Sequence, residues 1–169
     1  MSDQKAQNEK TEEIIVTRLF DAPVELVWKA WTDPKQVMRW WGPQYYTSPS
    51  CKIDFREGGR YIFCMHAPKD QGGQDSYTAG VYRKIIPMEL IEFTQGMSDK
   101  EGNIIDPVQV GMPPDFPQEL RTVVNFKRVR DDMTELTIVQ YGWVPSQMLV
   151  YAIAGLHQSI DKLGVSLKK

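Results

Sequence analysis

The apolar positions change period three times along the chain, and each change marks a new kind of element. Over residues 14–20, apolar and β-branched side chains crowd a short run, as in a strand. The period then becomes helical: Val24, Val27, Trp28 and Trp31 share one face. Pro23 stands before them, where a missing N–H is no loss to a helix start. Asp33-Pro34 ends this helix and begins a second short one, which closes on Met38, Trp40 and Trp41 ahead of Gly42-Pro43. From there the chain reads as strands at 47–55, 60–66, 77–86, 90–95, 120–128 and 135–141. Turns at Glu57-Gly58-Gly59, at Pro87 and at Arg130-Asp131-Asp132 make consecutive hairpins of them, which predicts an antiparallel meander. The last change comes at 145–167. Leu149, Ile153, Leu156, Ile160, Leu163 and Leu167 follow one another at helical spacing, the stripe of a long amphipathic helix that needs a sheet to lie on.

The order is thus strand, two short helices, a run of strands, long helix, with no internal repeat. It predicts an α+β domain over 13–169, behind a flexible polar tail at 1–12. Its curved antiparallel sheet has six to seven strands and wraps the last helix. Hydrophobic residues make up 41% of the chain, enough for a core, so disorder is not expected beyond the ends. The formal net charge of −2, with no long run of one sign, excludes the basic footprint of a nucleic-acid binder. No apolar stretch approaches the roughly 18 residues of a membrane span, and the polar first ten residues lack a signal-peptide core. Two cysteines, Cys51 and Cys64, imply no disulfide scaffold and fit a reducing, cytoplasmic setting.

A curved sheet and a helix that crosses it leave a gap, and such gaps hold apolar ligands. Strand alternation turns Tyr61, Phe63 and Met65 toward it, with Ile91 and Phe93 beside them. Thr122, Val124 and Phe126 share a face, as do Leu136, Ile138 and Gln140. Trp40, Trp41, Met148 and Ile153 close the ends. The same residues would fill a solid core, and the pattern alone does not separate core from pocket wall. The connection at 97–118 is long for a loop without structure. Its apolar content and four prolines suit either a lid, with Met112 and Phe116 on the ligand, or an insertion packed on a sheet edge or a second subunit.

Reactive chemistry is thinly represented. Cys64 and His66 share a strand face, but two ligands are too few for a closed zinc site, so no metal or tightly held cofactor is expected. There is no Gly-x-Ser-x-Gly elbow, and Gly58-Gly59 is a hairpin turn instead of a phosphate loop. An inward Gln140 needs partners, which a ligand, a backbone group or Tyr82 would supply. His157, one residue from the buried stripe, is the candidate general base should the pocket be catalytic. Gly155 in mid-helix costs about 1 kcal/mol against alanine, which calls for a bend or a close approach there. Of the paired Trp40 and Trp41, one suits an anchor and the other a ligand contact.

Several local motifs, taken in order, resemble the activator of heat-shock-protein-90 ATPase homologue family, within the START-like (SRPBCC, Bet v 1-like) superfamily. They are Arg18-Leu19-Phe20-Asp21-Ala22-Pro23, Val27-Trp28-Lys29-Ala30-Trp31-Thr32-Asp33-Pro34, and Arg39-Trp40-Trp41-Gly42-Pro43. Asp54-Phe55-Arg56-Glu57-Gly58-Gly59, Gly80-Val81-Tyr82, Thr134-Glu135-Leu136-Thr137 and Ser159-Ile160-Asp161-Lys162-Leu163 continue the match. The resemblance implies a helix-grip fold with an internal cavity. It departs from the family where Gly155-Leu156 replaces a frequent Gly-Trp and where the 97–118 loop is longer than in many relatives. The separate N-terminal domain that the eukaryotic activator uses on its chaperone has no counterpart in this sequence. The expected function is therefore non-enzymatic binding of a small hydrophobic or amphipathic molecule, by a monomer or homodimer. A co-chaperone-like module acting on a heat-shock chaperone, and an enzyme using the same pocket, are the alternatives.

Overall fold

The computed structural model describes residues 10–168, so most of the expected tail at 1–12 lies outside the described residues. Strand β1 (Glu12–Phe20) starts two residues earlier than its apolar run. Helix α1 (Val24–Thr32) follows, with Pro23 as its N-cap residue and Val24, Val27, Trp28, Ala30 and Trp31 buried. Asp33 caps the single-turn helix α2 (Pro34–Val37) by accepting from the Lys35 amide, and proline takes the first turn as expected. The meander then runs through β2 (Cys51–Ile53), β3 (Arg60–His66), β4 (Asp75–Ile86), β5 (Leu90–Ser98), β6 (Leu120–Arg130) and β7 (Met133–Trp143). Helix α3 (Gln147–Ser166) ends the described fold, its N-cap Ser146 accepting from the Leu149 amide.

All seven strands form one antiparallel sheet in the order β1-β7-β6-β5-β4-β3-β2. Hairpins account for every neighbour except β1, which returns to pair with β7. Close strand approach is built in at Gly80 on β4, where a Cβ would stand 1.8 Å from the Thr94 carbonyl oxygen. No side chain larger than hydrogen fits there.

Two expectations need correction. The strand at 47–55 shrinks to β2, preceded by a lone bridge between Thr47 and His66. Pro49 has no amide to donate to a ladder, and the Ser48 hydroxyl instead donates to the Cys64 carbonyl at 2.7 Å. The expected helix stripe fails at one position. Leu149, Ile160 and Leu163 are buried, and Leu156 and Leu167 pack against the core, but Ile153 is 38% exposed. The buried face takes in Ser159 and Ser166 as well, with Ala152 packed at its edge. Apolar residues occupy nearly every position from 148 to 156, so the local pattern does not choose a face.

The core forms two clusters on the concave side of the sheet. The larger joins α1, α2 and the C-terminal half of α3 to β3–β7, around Trp31, Trp40, Tyr61, Phe93 and Ile160. The smaller lies at the other end, where Ile14, Val16, Leu120, Trp143 and Leu149 meet Phe116 and Leu156.

Candidate functional site

Lys162 fixes one end of α3 over the concave face. Its ammonium donates to the carbonyls of Gly42 (3.0 Å), Pro43 (3.3 Å) and Tyr46 (2.9 Å). Burial pulls this amine below its ordinary pKa, while the three carbonyls favour the charged form. Nearby, Arg18 on β1 donates to Asp161 at 2.6 Å. The expected close approach at Gly155 is not found: Pro43 lies 3.6 Å from where a Cβ would be, an ordinary van der Waals distance that leaves room for a methyl. The N-terminal half of α3 is held much less. Only Leu149 is buried there, and Val150, Tyr151 and Ile153 face outward.

Beneath that looser half, polar side chains cross three strands of an otherwise apolar face. Thr122 donates to Gln95 Oε1 at 3.3 Å, and Gln140 Nε2 donates to the same oxygen at 3.3 Å. The Trp143 indole donates to Gln140 Oε1 at 3.1 Å. Thr122 is 1% and Gln140 8% exposed. Gln140 thus faces inward as expected, but its partners are side chains on β5 and β7, not backbone or Tyr82. Gln95 was not among the expected site residues, although alternation from Ile91 and Phe93 places it on their face.

The 97–118 segment is less irregular than its sequence suggests. Strand β5 runs on to Ser98, and Ile104 bridges back to it. The Asp99 carboxylate accepts from the Glu101 amide and from both nitrogens of Asn103, which holds it below the usual carboxylate range. A 3-10 turn at Pro107–Val110 is capped by Asp106, which also accepts from Gln118. Phe116 folds inward against Trp143, with ring centroids 5.6 Å apart and near-perpendicular planes. Met112 and Met148 are half-buried, while Ile104, Val108 and Val110 are exposed.

The other expected wall residues are largely spent on the core. Tyr61, Phe63 and Phe93 are buried among one another, with Tyr61 donating to the Thr94 carbonyl at 2.6 Å. Phe126 packs on Trp28 of α1, and Ile138 lies in the larger cluster. Trp40 is the anchor of the tryptophan pair: it is 1% exposed and its indole donates to the Ala30 carbonyl at 2.9 Å. Trp41 is half-buried at the rim, against Phe63. Met65, half-buried, approaches Gly42. Trp31, Tyr61, Phe63, Tyr82, Ile91 and Phe93 enclose a void of about 10 Å³. That space admits one water-sized group, so the ligand-sized gap expected between sheet and helix is closed at this point.

The remaining reactive groups stay apart. His66 pairs with exposed Asp75 at 2.6 Å, and Cys64 is buried with its thiol raised by desolvation. Burial and the charge of Asp33 push the Cys51 thiol up to about 12. His157 is exposed, 3.4 Å from Arg18, at the outer side of α3.

The family described as Activator of Hsp90 ATPase homolog 1-like protein matches residues 21–168, nearly the whole described fold. The chain belongs to this family. Solved structures of START-like proteins superpose on the AHSA1-like chain over most of its length. One from Chromobacterium violaceum is 25% identical, covering 93% of this chain and 97% of its own, with a TM-score of 0.72. Another from Nitrosomonas europaea is 20% identical over 92% and 94%, also with a TM-score of 0.72. An AHSA1-like protein from Aeromonas hydrophila is 18% identical over 93% and 92%, with a TM-score of 0.66. These likenesses establish the helix-grip architecture. Among curated proteins, none matches the AHSA1-like chain. No helix among its described residues is long and apolar enough to cross a membrane.

Proposed function

We propose that this AHSA1-like chain binds a small apolar or amphipathic molecule on the concave side of its sheet, without performing chemistry on it. The observation that carries this reading is the buried polar row Gln95–Thr122–Gln140–Trp143 beneath the loosely packed half of α3. Amides inside an apolar core destabilise unless bonded, and a core needing only packing has no use for them. Here they satisfy one another while presenting groups that a ligand can take over. The uneven grip on α3 supplies the movement: the end tied by Lys162 stays, and the half bearing Met148 lifts together with Met112 and Phe116 of the 97–118 lid. Regions with few buried contacts open first. Tyr61, Phe63 and Phe93 then form the base of the opened site, and Trp41 and Met65 its rim. The exposed setting of His157 and the raised thiols argue against acid–base or nucleophilic use of the same space.

The test is a thermal-shift panel of medium-chain fatty acids and two- or three-ring aromatics, followed by native mass spectrometry. A ligand at about 100 times its Kd adds about 2.7 kcal/mol, which for this size raises Tm by about 5–11 °C. A panel in which no member shifts Tm, with only the bare protein mass observed, refutes the reading.

A further inference from the structure

Among the described residues, the Trp31 indole nitrogen is the one buried side-chain polar atom without a hydrogen-bond partner. The ring is 5% exposed and forms a wall of the enclosed void of about 10 Å³. Two other buried tryptophans show the ordinary solution. Trp40, whose ring lies 4.7 Å from that of Trp31, donates to Ala30, and Trp143 donates to Gln140. A buried donor with no acceptor is destabilising, so a free one beside a void is a feature to be explained.

We infer that Trp31 is a recognition donor at the base of the ligand site, and that the ligand carries a neutral hydrogen-bond acceptor, a ketone or ester oxygen on a flat apolar body, directed at its Nε1. This rests on the binding function proposed above and names the ligand class for that site. The void has room for one acceptor atom. A water there would want two to four polar partners, and the walls are five aromatic rings and an isoleucine. Neither phenol accepts from the indole here, and Tyr61 itself donates to the Thr94 carbonyl. A carboxylate would lose its hydration in so apolar a setting, which favours a neutral oxygen. Around the void Tyr61 meets Phe93 at 84° and Phe63 at 41°. Outside it Trp41 lies against Phe63, and a flat molecule entering there parts ring contacts that hold no hydrogen bond between them.

The experiment uses two probes of one shape, 2-acetylnaphthalene and 2-isopropenylnaphthalene, which differ by an oxygen in place of a methylene. Each is titrated into ¹⁵N-labelled protein, whose five tryptophans give five indole signals. That of Trp31 is assigned by its loss in Trp31→Phe, or by contacts to Tyr61 and Phe93 ring protons should that variant not fold. The wild type should bind the ketone about three- to tenfold more tightly than the alkene. The Trp31 indole proton should move downfield with the ketone alone, and Trp31→Phe should bind both probes equally. Equal affinities in the wild type, or a Trp31 signal unmoved while others shift, overturn the inference and leave the pocket standing; the indole then donates to a ring face or a lone water. No saturable shift with either probe overturns the pocket and the inference together.

Discussion

Replacing Lys162 by methionine tests whether α3 is fixed at one end and free at the other. Methionine keeps an unbranched apolar stem but removes the three bonds to the carbonyls of Gly42, Pro43 and Tyr46. Each such bond contributes about 0.5–1.5 kcal/mol net. The site is only half-buried, so water recovers part of the loss, and roughly 2–3 kcal/mol remains. In a chain of this length that lowers Tm by about 4–12 °C. The paired control is Ile153→Ser on the outward face of the same helix, expected to change stability by less than about 0.5 kcal/mol. Equilibrium urea unfolding at pH 7 measures both. The hinge argument is refuted by the reverse order, with Ile153→Ser costing more than Lys162→Met, since the half assigned to lift would then be the half that holds.

Two further outcomes follow from the geometry. Gly80→Ala places a methyl 1.8 Å from the Thr94 oxygen and should destabilise by more than about 4 kcal/mol, whereas Gly58→Ala, with open space but φ of +84°, should cost about 1–2 kcal/mol; the two urea midpoints decide it. On the alkaline side, Cys51 ionises near 9 when unfolded and about 12 when folded, and Tyr61 and Tyr82 are raised in the same sense. The unfolded chain therefore releases these protons first, from pH 9.0 for Cys51 and pH 10.0 for the phenols, and above those points stability falls by about 1.4 kcal/mol per unit for each such group. Lys162, with its amine lowered, acts in the opposite sense over the window below its ordinary 10.5. Urea midpoints at pH 7, 9 and 10.5 measure the balance, and a flat or rising profile contradicts the burial of the thiol and phenols.

The sequence made the architecture readable where local chemistry and tertiary packing agree. Strand β3 occupies 60–66 as its alternation requires, and Asp33-Pro34 starts α2 because aspartate caps and proline tolerates the first turn. The local pattern failed where a third element chose. Ile153 fits a helical stripe on paper, but nine consecutive, mostly apolar residues leave the face open, and the tie of Lys162 to the carbonyls of Gly42, Pro43 and Tyr46 settles it. In the same way, Gln140 was legible as inward, while its bonding to Gln95 and Trp143 depends on strands brought together from distant parts of the chain. The free donor of Trp31 was beyond reach for a related reason. Helical spacing shows that the ring is buried, but only the surroundings show whether its nitrogen meets an acceptor.

The pairing of β1 with β7 has a consequence for biosynthesis. Thr17 and Thr137 meet across 120 positions of sequence. At roughly 5–20 residues per second, a ribosome needs about 6–24 s to supply the second after the first. Once clear of the tunnel, Ile14, Val16 and Phe20 wait without their partner strand, an unpaired edge on a nascent chain. The sheet therefore closes only after β7 has left the ribosome, when translation is nearly done.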